Sequence, residues 1–351
     1  MMRAKGVIIF AFIFLFASLS VILMQFPSRA WDAYVILQAE NASKAELLGV
    51  SKKAKENLSE QKLRLYPQCA WSRRLEHPGV WKNSPRIQYI HMPKAGGTSV
   101  QLALMQWARS SPGVEYFKYD SNSVGGSSTK CPDGAFEATL LAGHRGFGFC
   151  TSIETSKRGL FTFTAVRDTV SRMVSWFYYN LEVIHEPRAK AAFGNVNLPL
   201  QDLIKKYDKT EQIENGERLI RYSGSQQARF LCGYKCMGPN ARGKTNISEE
   251  YILEHALQNL QRIDVLGVTE RLDDILVPLR FHLPNIVPKS FHHFRRDNVH
   301  SKKSVLDDEA KSILRRWGWV DDKLHMEATK IFEKQYREAL ECLELFGETG
   351  A

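Results

Sequence analysis

The chain has 351 residues, which is sufficient for one α/β domain of about 250 residues with a large core and an appendage. Its 48 basic and 38 acidic residues give a formal net charge of +10, which predicts a polyanionic partner, although solubility alone also explains such a charge. These figures exclude a peptide too small to bury a core, but they leave the kind of polyanion open.

The first segment with a clear pattern is an uncharged apolar stretch over residues 6–26. Its length matches the roughly 20 residues needed to cross a bilayer and exceeds that of the apolar core of a secretory signal peptide, so we expect a membrane anchor. A signal peptide that is cleaved after residues 28–30 stays an alternative. Arg3 and Lys5 precede it, so the positive-inside rule predicts a cytosolic tail over residues 1–5 and a lumenal location for the rest. A lumenal location excludes nucleic acid and leaves anionic glycans, a nucleotide or the membrane surface.

Residues 27–84 are rich in Lys, Glu, Ser and Ala and lack dense apolar clusters, which is typical of a stem outside the main domain. Three Asn-x-Ser sequons fall on the predicted lumenal side, as N-glycosylation requires. They are Asn41, Asn57 and Asn246.

All six cysteines follow the predicted anchor, where an oxidising compartment allows disulfides to persist. The close spacing of Cys232 and Cys236 fits either a local disulfide or half of a zinc site. Because no CxxC and no histidine pair with metal-ligand spacing is nearby, we expect the disulfide. The pairing of the other four stays open, with Cys131 and Cys150 suggested as one pair. The remaining two are Cys69 and Cys342.

The main domain is predicted over residues 85–346, and residues 347–351 form a C-terminal tail. Short apolar runs predict four strands, at residues 86–91, 138–142, 160–166 and 264–268. Helical patterns occupy residues 100–107, 170–181, 198–207, 217–231, 248–262, 272–282 and 304–345. This alternation predicts an α/β fold, a P-loop-like three-layer domain whose central parallel sheet is flanked by helices, in addition to the N-terminal transmembrane helix.

A glycine loop connects the first predicted strand to the first helix of this domain. Residues 91–99 read His-Met-Pro-Lys-Ala-Gly-Gly-Thr-Ser, in which Gly96 and Gly97 permit close approach of an anion and Lys94 adds a charge. In the triphosphatase P-loop the lysine follows the glycines and precedes a magnesium-binding hydroxyl, whereas here it comes first. This order favours a nucleotide that carries a sulfuryl group and predicts no metal. A helix cap at Thr98 or Ser99 is the structural alternative.

A second group of polar residues follows the strand predicted at 160–166. Ligands of open parallel sheets bind beyond the carboxyl ends of strands, where Arg167 can contact a phosphate through two hydrogen bonds. Ser175, two helical turns further on, adds a hydroxyl on the same helix face. We expect Asp168 to cap the helix or orient Arg167 rather than act as an acid catalyst.

In the glycine loop and in the segment that begins at Arg167, the chain resembles the Golgi carbohydrate sulfotransferases, which use 3′-phosphoadenosine 5′-phosphosulfate. PKAGGTS is similar to their 5′-phosphosulfate loop, and RDTVSRMVSWFYY is similar to their 3′-phosphate motif. Within that group residues 86–343 are most similar to the hexuronyl 2-O-sulfotransferases of heparan sulfate or of chondroitin and dermatan, with support from Gly143-His144 and from residues 229–236 and 265–275. The Gly96-Gly97 pair is closer to the 6-O-sulfotransferases, so 6-O or 4-O transfer stays an alternative.

The resemblance implies a single-pass type II protein of the Golgi membrane that sulfates an anionic glycosaminoglycan without a metal, and it leaves a homo-oligomer open. Lys94 would neutralise the leaving 5′-phosphate, and His144 would be the general base, with His91 as the second candidate. Arg167 and Ser175 would hold the 3′-phosphate. The residues expected to hold the 5′-phosphosulfate are Lys94, Ala95, Gly96, Gly97, Thr98 and Ser99.

Basic side chains are expected to bind the acceptor, because sulfate and carboxylate groups are recognised by Arg and Lys. The candidates are Arg145, Lys289, Arg295 and Arg296, and Lys302 and Lys303 would contact either donor or acceptor. Two other functions remain: a magnesium-dependent kinase or nucleotidase, and a lumenal membrane protein that binds glycan without turnover.

Overall fold

The computed structural model describes only part of the chain. The described residues are 69, 86–110, 114–119, 138–148, 160–180, 199–209, 224–233, 236, 247–284, 287, 291, 293–294 and 305–345. The predicted tail, anchor and sequons, nearly all of the stem, and Cys131 and Cys150 lie outside these residues. No helix within these described ranges is long and apolar enough to cross a membrane.

Five parallel strands form the central sheet. They are β1 (Arg86–Ile90), β2 (Tyr116–Tyr119), β3 (Leu140–Gly143), β4 (Leu160–Val166) and β5 (Val265–Val268). Their order across the sheet is β2-β3-β1-β4-β5, which places β1 in the middle, with β3 on one side and β4 on the other. The chain builds one side of β1 before it crosses to the other, and ligands bind at such a switch point in open α/β sheets. The predicted parallel sheet is confirmed.

Eight α-helices are described. They are α1 (Gly97–Ser110), α2 (Thr169–Tyr178), α3 (Leu200–Asp208), α4 (Gln226–Cys232), α5 (Glu249–Leu260), α6 (Leu276–His282), α7 (Asp308–Trp317) and α8 (Trp319–Leu345). Residues Thr269–Ile275 form a 3₁₀-helix, so α6 begins later than the predicted start at residue 272. The C-terminal region is helical as predicted, but it is divided at Gly318.

Helices cover both faces of the sheet, because alternate residues of a strand point to opposite sides. On one face Tyr89 and Phe163 pack with Trp107 of α1. On the other face Ile90 and Leu266 join a second core that contains residues of α4, α5 and α8. A third core lies among α2, α3 and α7. The flanking layers confirm the predicted α/β arrangement.

At the break between α7 and α8, Gly318 has no room for a side chain. A Cβ atom on this residue would lie 2.4 Å from Cγ2 of Thr169 and 3.2 Å from Sδ of Met173. The corner between α7 and α8 therefore packs directly against the first turns of α2, which follows β4 and the candidate site. A side chain at residue 318 would separate these elements.

The Cys232–Cys236 disulfide is present, as predicted, and it closes the end of α4. The chain turns between the two cysteines at Gly233, whose φ of +93° and close approach to the carbonyl oxygen of Phe147 both require glycine. Because both sulfurs are in the disulfide, the zinc alternative is wrong for this pair. Cys69 and Cys342 are disulfide-bonded as well.

Candidate active site

The carboxyl ends of β1, β3 and β4 bring the predicted functional segments to one edge of the sheet. Ile90 pairs with Gly143, so the residues that follow these two, His91 and His144, lie side by side. On the other side of β1, β4 pairs in register through Thr164 and then leads into Arg167. Strand register therefore assembles residues that are far apart in the sequence.

The loop after β1 has a backbone that requires its glycines. Gly96 has a φ of +75°, and a Cβ atom there would lie 3.0 Å from Cδ2 of Leu272. A Cβ atom on Gly97 would lie 1.8 Å from Cδ2 of the His91 ring. Lys94 also adopts a positive φ, of +65°, which is uncommon for a residue with a side chain and is concentrated at functional sites.

Two amides of this loop are already bonded within it. The Ala95 N–H donates to the carbonyl of Met92 at 3.3 Å, and the Ser99 N–H donates to the carbonyl of Gly96 at 3.1 Å. The amides of Gly96, Gly97 and Thr98 lie between these two bonds. Since α1 begins at Gly97, Thr98 and Ser99 fall within its first turn and neither is the residue that caps it.

Lys94 and Arg167 form the positive side of the site, which we call the cation region. A guanidinium nitrogen of Arg167 donates to the carbonyl of Lys94 at 3.0 Å, and the Lys94 ammonium lies 4.0 Å from the ring centroid of Tyr179. Burial and then the charge of Arg167 lower the pKa of Lys94 to about 8. Burial also lowers the pKa of Arg167, and this effect outweighs the negative charges of Glu270 and Asp168, which act to raise it.

No carboxylate among the described residues is ion-paired with either cation of this region. The two partly buried cations repel one another, and the nearby carboxylates of Glu270 and Asp168 do not supply the direct ion pair that buried charges normally have. An anionic ligand would relieve both costs. The arrangement is therefore suited to binding phosphate or sulfate.

The backbone of Arg167 is held by a residue that the sequence analysis did not identify. The Arg167 N–H donates to Oε1 of Gln227 at 2.8 Å, and Nε2 of Gln227 donates back to the Arg167 carbonyl at 3.0 Å. The backbone amides of Gln227 and Ala228 donate to the buried carboxylate of Asp321, which is paired with Arg172. Gln227 and Asp321 each lie on a helix whose other buried residues are mostly apolar, and neither belongs to a motif that the sequence analysis could use.

His91 and His144 form the second side, which we call the histidine region. Their ring centroids are 3.9 Å apart, and Nδ1 of His144 lies 2.9 Å from the backbone carbonyl oxygen of His91. A carbonyl oxygen only accepts, so Nδ1 of His144 carries the proton and Nε2 keeps its lone pair. Burial lowers the pKa of His144, and the charges of Lys118 and Lys94 lower it further.

His91 is less accessible than His144. It is only 6% exposed, and its Nδ1 donates to Oε1 of Gln101 at 3.1 Å. Burial is the main cause that lowers the pKa of His91 to about 3, and the neighbouring His144 adds to it. The half-buried His144 is therefore the better placed of the two to meet a substrate. Lys118, an exposed residue on the edge strand β2, is a neighbour that the sequence analysis missed.

Asp168 caps α2, as predicted. Its side chain accepts from the Ser171 amide at 2.9 Å and pairs with Arg315 at 3.2 Å. Its own amide donates to Glu270 at 2.9 Å. These contacts fix the turn that carries Arg167 and leave Asp168 in a structural role.

The other predicted site residues are placed as follows. Arg145 is half-buried beside His144, and Ser175 is half-buried on α2. Five predicted basic residues lie outside the described residues, namely Lys289, Arg295, Arg296, Lys302 and Lys303. Among the residues that are described, no group of three or more His, Cys, Asp or Glu side chains is arranged to hold a metal ion.

Comparison with protein-family models and with curated proteins finds no match to this chain. Its own residues and their geometry therefore carry the functional inference.

Proposed function

We propose that the protein transfers a sulfuryl group from 3′-phosphoadenosine 5′-phosphosulfate to a hydroxyl of a glycosaminoglycan. The first candidate acceptor is the 2-hydroxyl of a hexuronic acid in heparan sulfate or in chondroitin and dermatan, and 6-O or 4-O transfer is the alternative. The proposal includes a type II location in the Golgi membrane with the catalytic domain in the lumen. Its main support is the meeting, at one sheet edge, of His144 with Lys94 and Arg167. The protonated Nδ1 of His144 leaves Nε2 as the atom that can accept a proton, and neither cation is ion-paired with a carboxylate among the described residues.

The residues of the cation region fit the anionic ends of this donor. Lys94 and the amides of Gly96, Gly97 and Thr98 would hold the 5′-phosphosulfate, because a glycine loop at a helix N-terminus binds such groups. Arg167 and Ser175 would hold the 3′-phosphate. The lack of a paired carboxylate among the described residues favours an anionic ligand over a purely structural role for the two cations.

The chemical step needs a base and a positive charge, and the two regions supply one each. His144 Nε2 accepts the proton of the acceptor hydroxyl while that oxygen forms its bond to sulfur. Lys94 stabilises the electron pair that passes to the 5′-phosphate as the bond between sulfur and the bridging oxygen breaks. The products are a sulfate ester and adenosine 3′,5′-bisphosphate, and His144 then releases its proton to solvent.

Transfer of labelled sulfate by the full-length chain tests this proposal. The donor is incubated with desulfated heparan, chondroitin and dermatan chains, and the products are separated as disaccharides. We expect label on the 2-position of a hexuronic acid. Label on a hexosamine instead would assign 6-O or 4-O transfer, and no transfer to any chain would contradict the proposal.

A pair of histidine variants tests the assigned base. His144→Ala should lower kcat by about 10²–10⁴-fold with little change in binding of adenosine 3′,5′-bisphosphate, because general-base catalysis contributes a factor of this size. His255→Ala is the matched control, since His255 also donates Nδ1 to a backbone carbonyl, that of Tyr251 at 3.0 Å, but lies on α5. Near-normal transfer by His144→Ala would show that another group is the base.

A further inference from the structure

The backbone of Arg167 lies just beyond the last paired residues of β4. The pairing of β4 with β1 ends at Thr164, and its pairing with β5 ends at Val166. Beyond these points no strand among the described residues pairs with the chain, and Arg167 is instead hydrogen-bonded by the side-chain amide of Gln227. Gln227 is fully buried, and it makes a reciprocal pair of bonds of the kind that an adjacent strand would make.

Gln227 is itself fixed from the opposite side. The two oxygens of Asp321 accept from the amides of Gln227 at 3.1 Å and of Ala228 at 2.8 Å. Asp321 has no solvent exposure and pairs with Arg172 of α2 at 3.2 Å. A buried carboxylate with this many partners holds a single arrangement, so the start of α4 has little freedom to move.

The guanidinium end of Arg167 is held separately, by its bond to the Lys94 carbonyl. Arg167 is therefore fixed at its backbone by Gln227 and at one side-chain nitrogen by the glycine loop. If the backbone bonds are lost, the contact with the loop is the one hydrogen bond among the described residues that still directs the guanidinium. Recognition of a phosphate through two parallel bonds is sensitive to such a displacement, because it depends on a fixed donor geometry.

We propose that Gln227 is a positioning residue for donor binding, which fixes the Arg167 backbone so that the guanidinium recognises the 3′-phosphate of the nucleotide. This inference rests on the proposed function. Gln227 lies outside both sequence motifs. Under this proposal it is nevertheless responsible for the preference of the protein for a nucleoside that is phosphorylated at both the 3′ and the 5′ positions.

The chain contains a matched control for this role. Gln335 of α8 accepts from the Leu266 amide at 2.9 Å and donates to the Asp264 carbonyl at 3.0 Å. The hydrogen-bonding groups are the same as at Gln227. These bonds, however, hold the amino end of β5, whereas Arg167 lies beyond the carboxyl end of the neighbouring strand β4. Replacing Gln335 removes a similar pair of bonds without touching the cation region.

The experiment measures the Kd of adenosine 3′,5′-bisphosphate and of adenosine 5′-monophosphate by calorimetry on the full-length chain. Gln227→Met should raise the Kd of the bisphosphate at least tenfold and that of the monophosphate less than twofold, because only the bisphosphate carries the 3′-phosphate. Gln335→Met should change neither by more than about twofold, although both variants lower the melting temperature by losing two hydrogen bonds. If Gln227 had only a general structural role, its replacement would weaken the binding of both nucleotides to the same extent.

The outcomes separate this inference from the proposed function. Wild-type protein that binds neither nucleotide overturns the proposed function and the positioning role with it. Wild-type protein that prefers the bisphosphate, with the same preference in Gln227→Met, overturns the positioning role alone. If Gln227→Met does not fold, Gln227→Asn keeps both polar groups and shortens the side chain by one methylene. The same loss of preference is expected from it, and a retained preference would again overturn the role.

Discussion

The cation region and the histidine region lie at the same sheet edge, and burial acts on them with different consequences. In the cation region, burial and mutual repulsion lower the pKa of Lys94 to about 8, which still leaves it charged at neutral pH. In the histidine region, the same desolvation keeps His91 and His144 neutral. One environment thus supplies a positive charge for an anion and an uncharged base beside it, because the starting pKa values of lysine and histidine differ by several units.

Removing the charge of Lys94 should have the largest effect on this comparison. Lys94→Gln should lower kcat for sulfuryl transfer by about 10²–10³-fold, since the leaving group loses the cation that stabilises it. Transfer of labelled sulfate at saturating donor measures the change. Lys323→Gln is the control, because Lys323 also lies over an aromatic ring, that of Trp319 at 4.9 Å, but on α8. Equal activity of Lys94→Gln and Lys323→Gln would remove Lys94 from the chemical step.

Gly97 joins the two regions, so a side chain there should disturb both. The Cβ atom of Gly97→Ala would fall 2.1 Å from Nε2 of His91, and His91 is held by Gln101 and cannot turn away freely. We expect a loss of about 1–3 kcal/mol in the free energy of unfolding, measured by denaturant titration, as for other overpacked sites. Binding of adenosine 3′,5′-bisphosphate should weaken in parallel.

A second glycine separates the two effects. Gly267→Ala brings a Cβ atom 2.5 Å from Cδ1 of Ile275, so it should also destabilise the fold. It lies in β5 and should leave nucleotide binding unchanged. If Gly97→Ala is as stable as the wild type, the close contact between the loop and His91 does not constrain the site.

The sequence predicted the local parts of this site better than their connections. The β4 strand was predicted over its full length because five of its seven residues are apolar and the other two are threonines, which also favour strands. The four-residue edge strand β2 was missed, since it is short and its Lys118 interrupts the apolar pattern. His91 and His144 were each predicted at a strand end, but only the pairing of Ile90 with Gly143 shows that their rings touch.

The contacts that hold Arg167 could not be read from the sequence. Gln227 lies 60 residues further along the chain, and Asp321 lies on the last helix. Neither residue belongs to a motif, and their partners are backbone groups, whose positions depend on the whole fold. Similarly, the helical periodicity of the C-terminal segment continues across Gly318, where one helix ends and the next begins, and the close approach of Gly318 to Thr169 depends on the whole fold.

The smallest expected effect, counted per pH unit, concerns the pH dependence of stability in the histidine region. In the unfolded chain a histidine binds a proton below pH about 6.5, whereas burial lowers the pKa of His91 in the folded protein to about 3. Between these values the unfolded state binds more protons, so stability should fall as the pH decreases, by at most about 1.4 kcal/mol per pH unit for this residue. His144 acts in the same direction, because its pKa is also lowered.

His91→Asn tests this expectation, since asparagine keeps a donor near the Nδ1 position and does not titrate. Denaturant unfolding between pH 6.5 and 4 should show a smaller slope of stability against pH in the variant than in the wild type. Above pH 7.5 His91 is neutral in both states, so the two slopes should agree there. Equal slopes over the acidic range would mean that His91 takes up its proton at the same pH in the folded and in the unfolded protein. Burial would then not keep His91 neutral, and the histidine region would differ from the cation region in geometry alone.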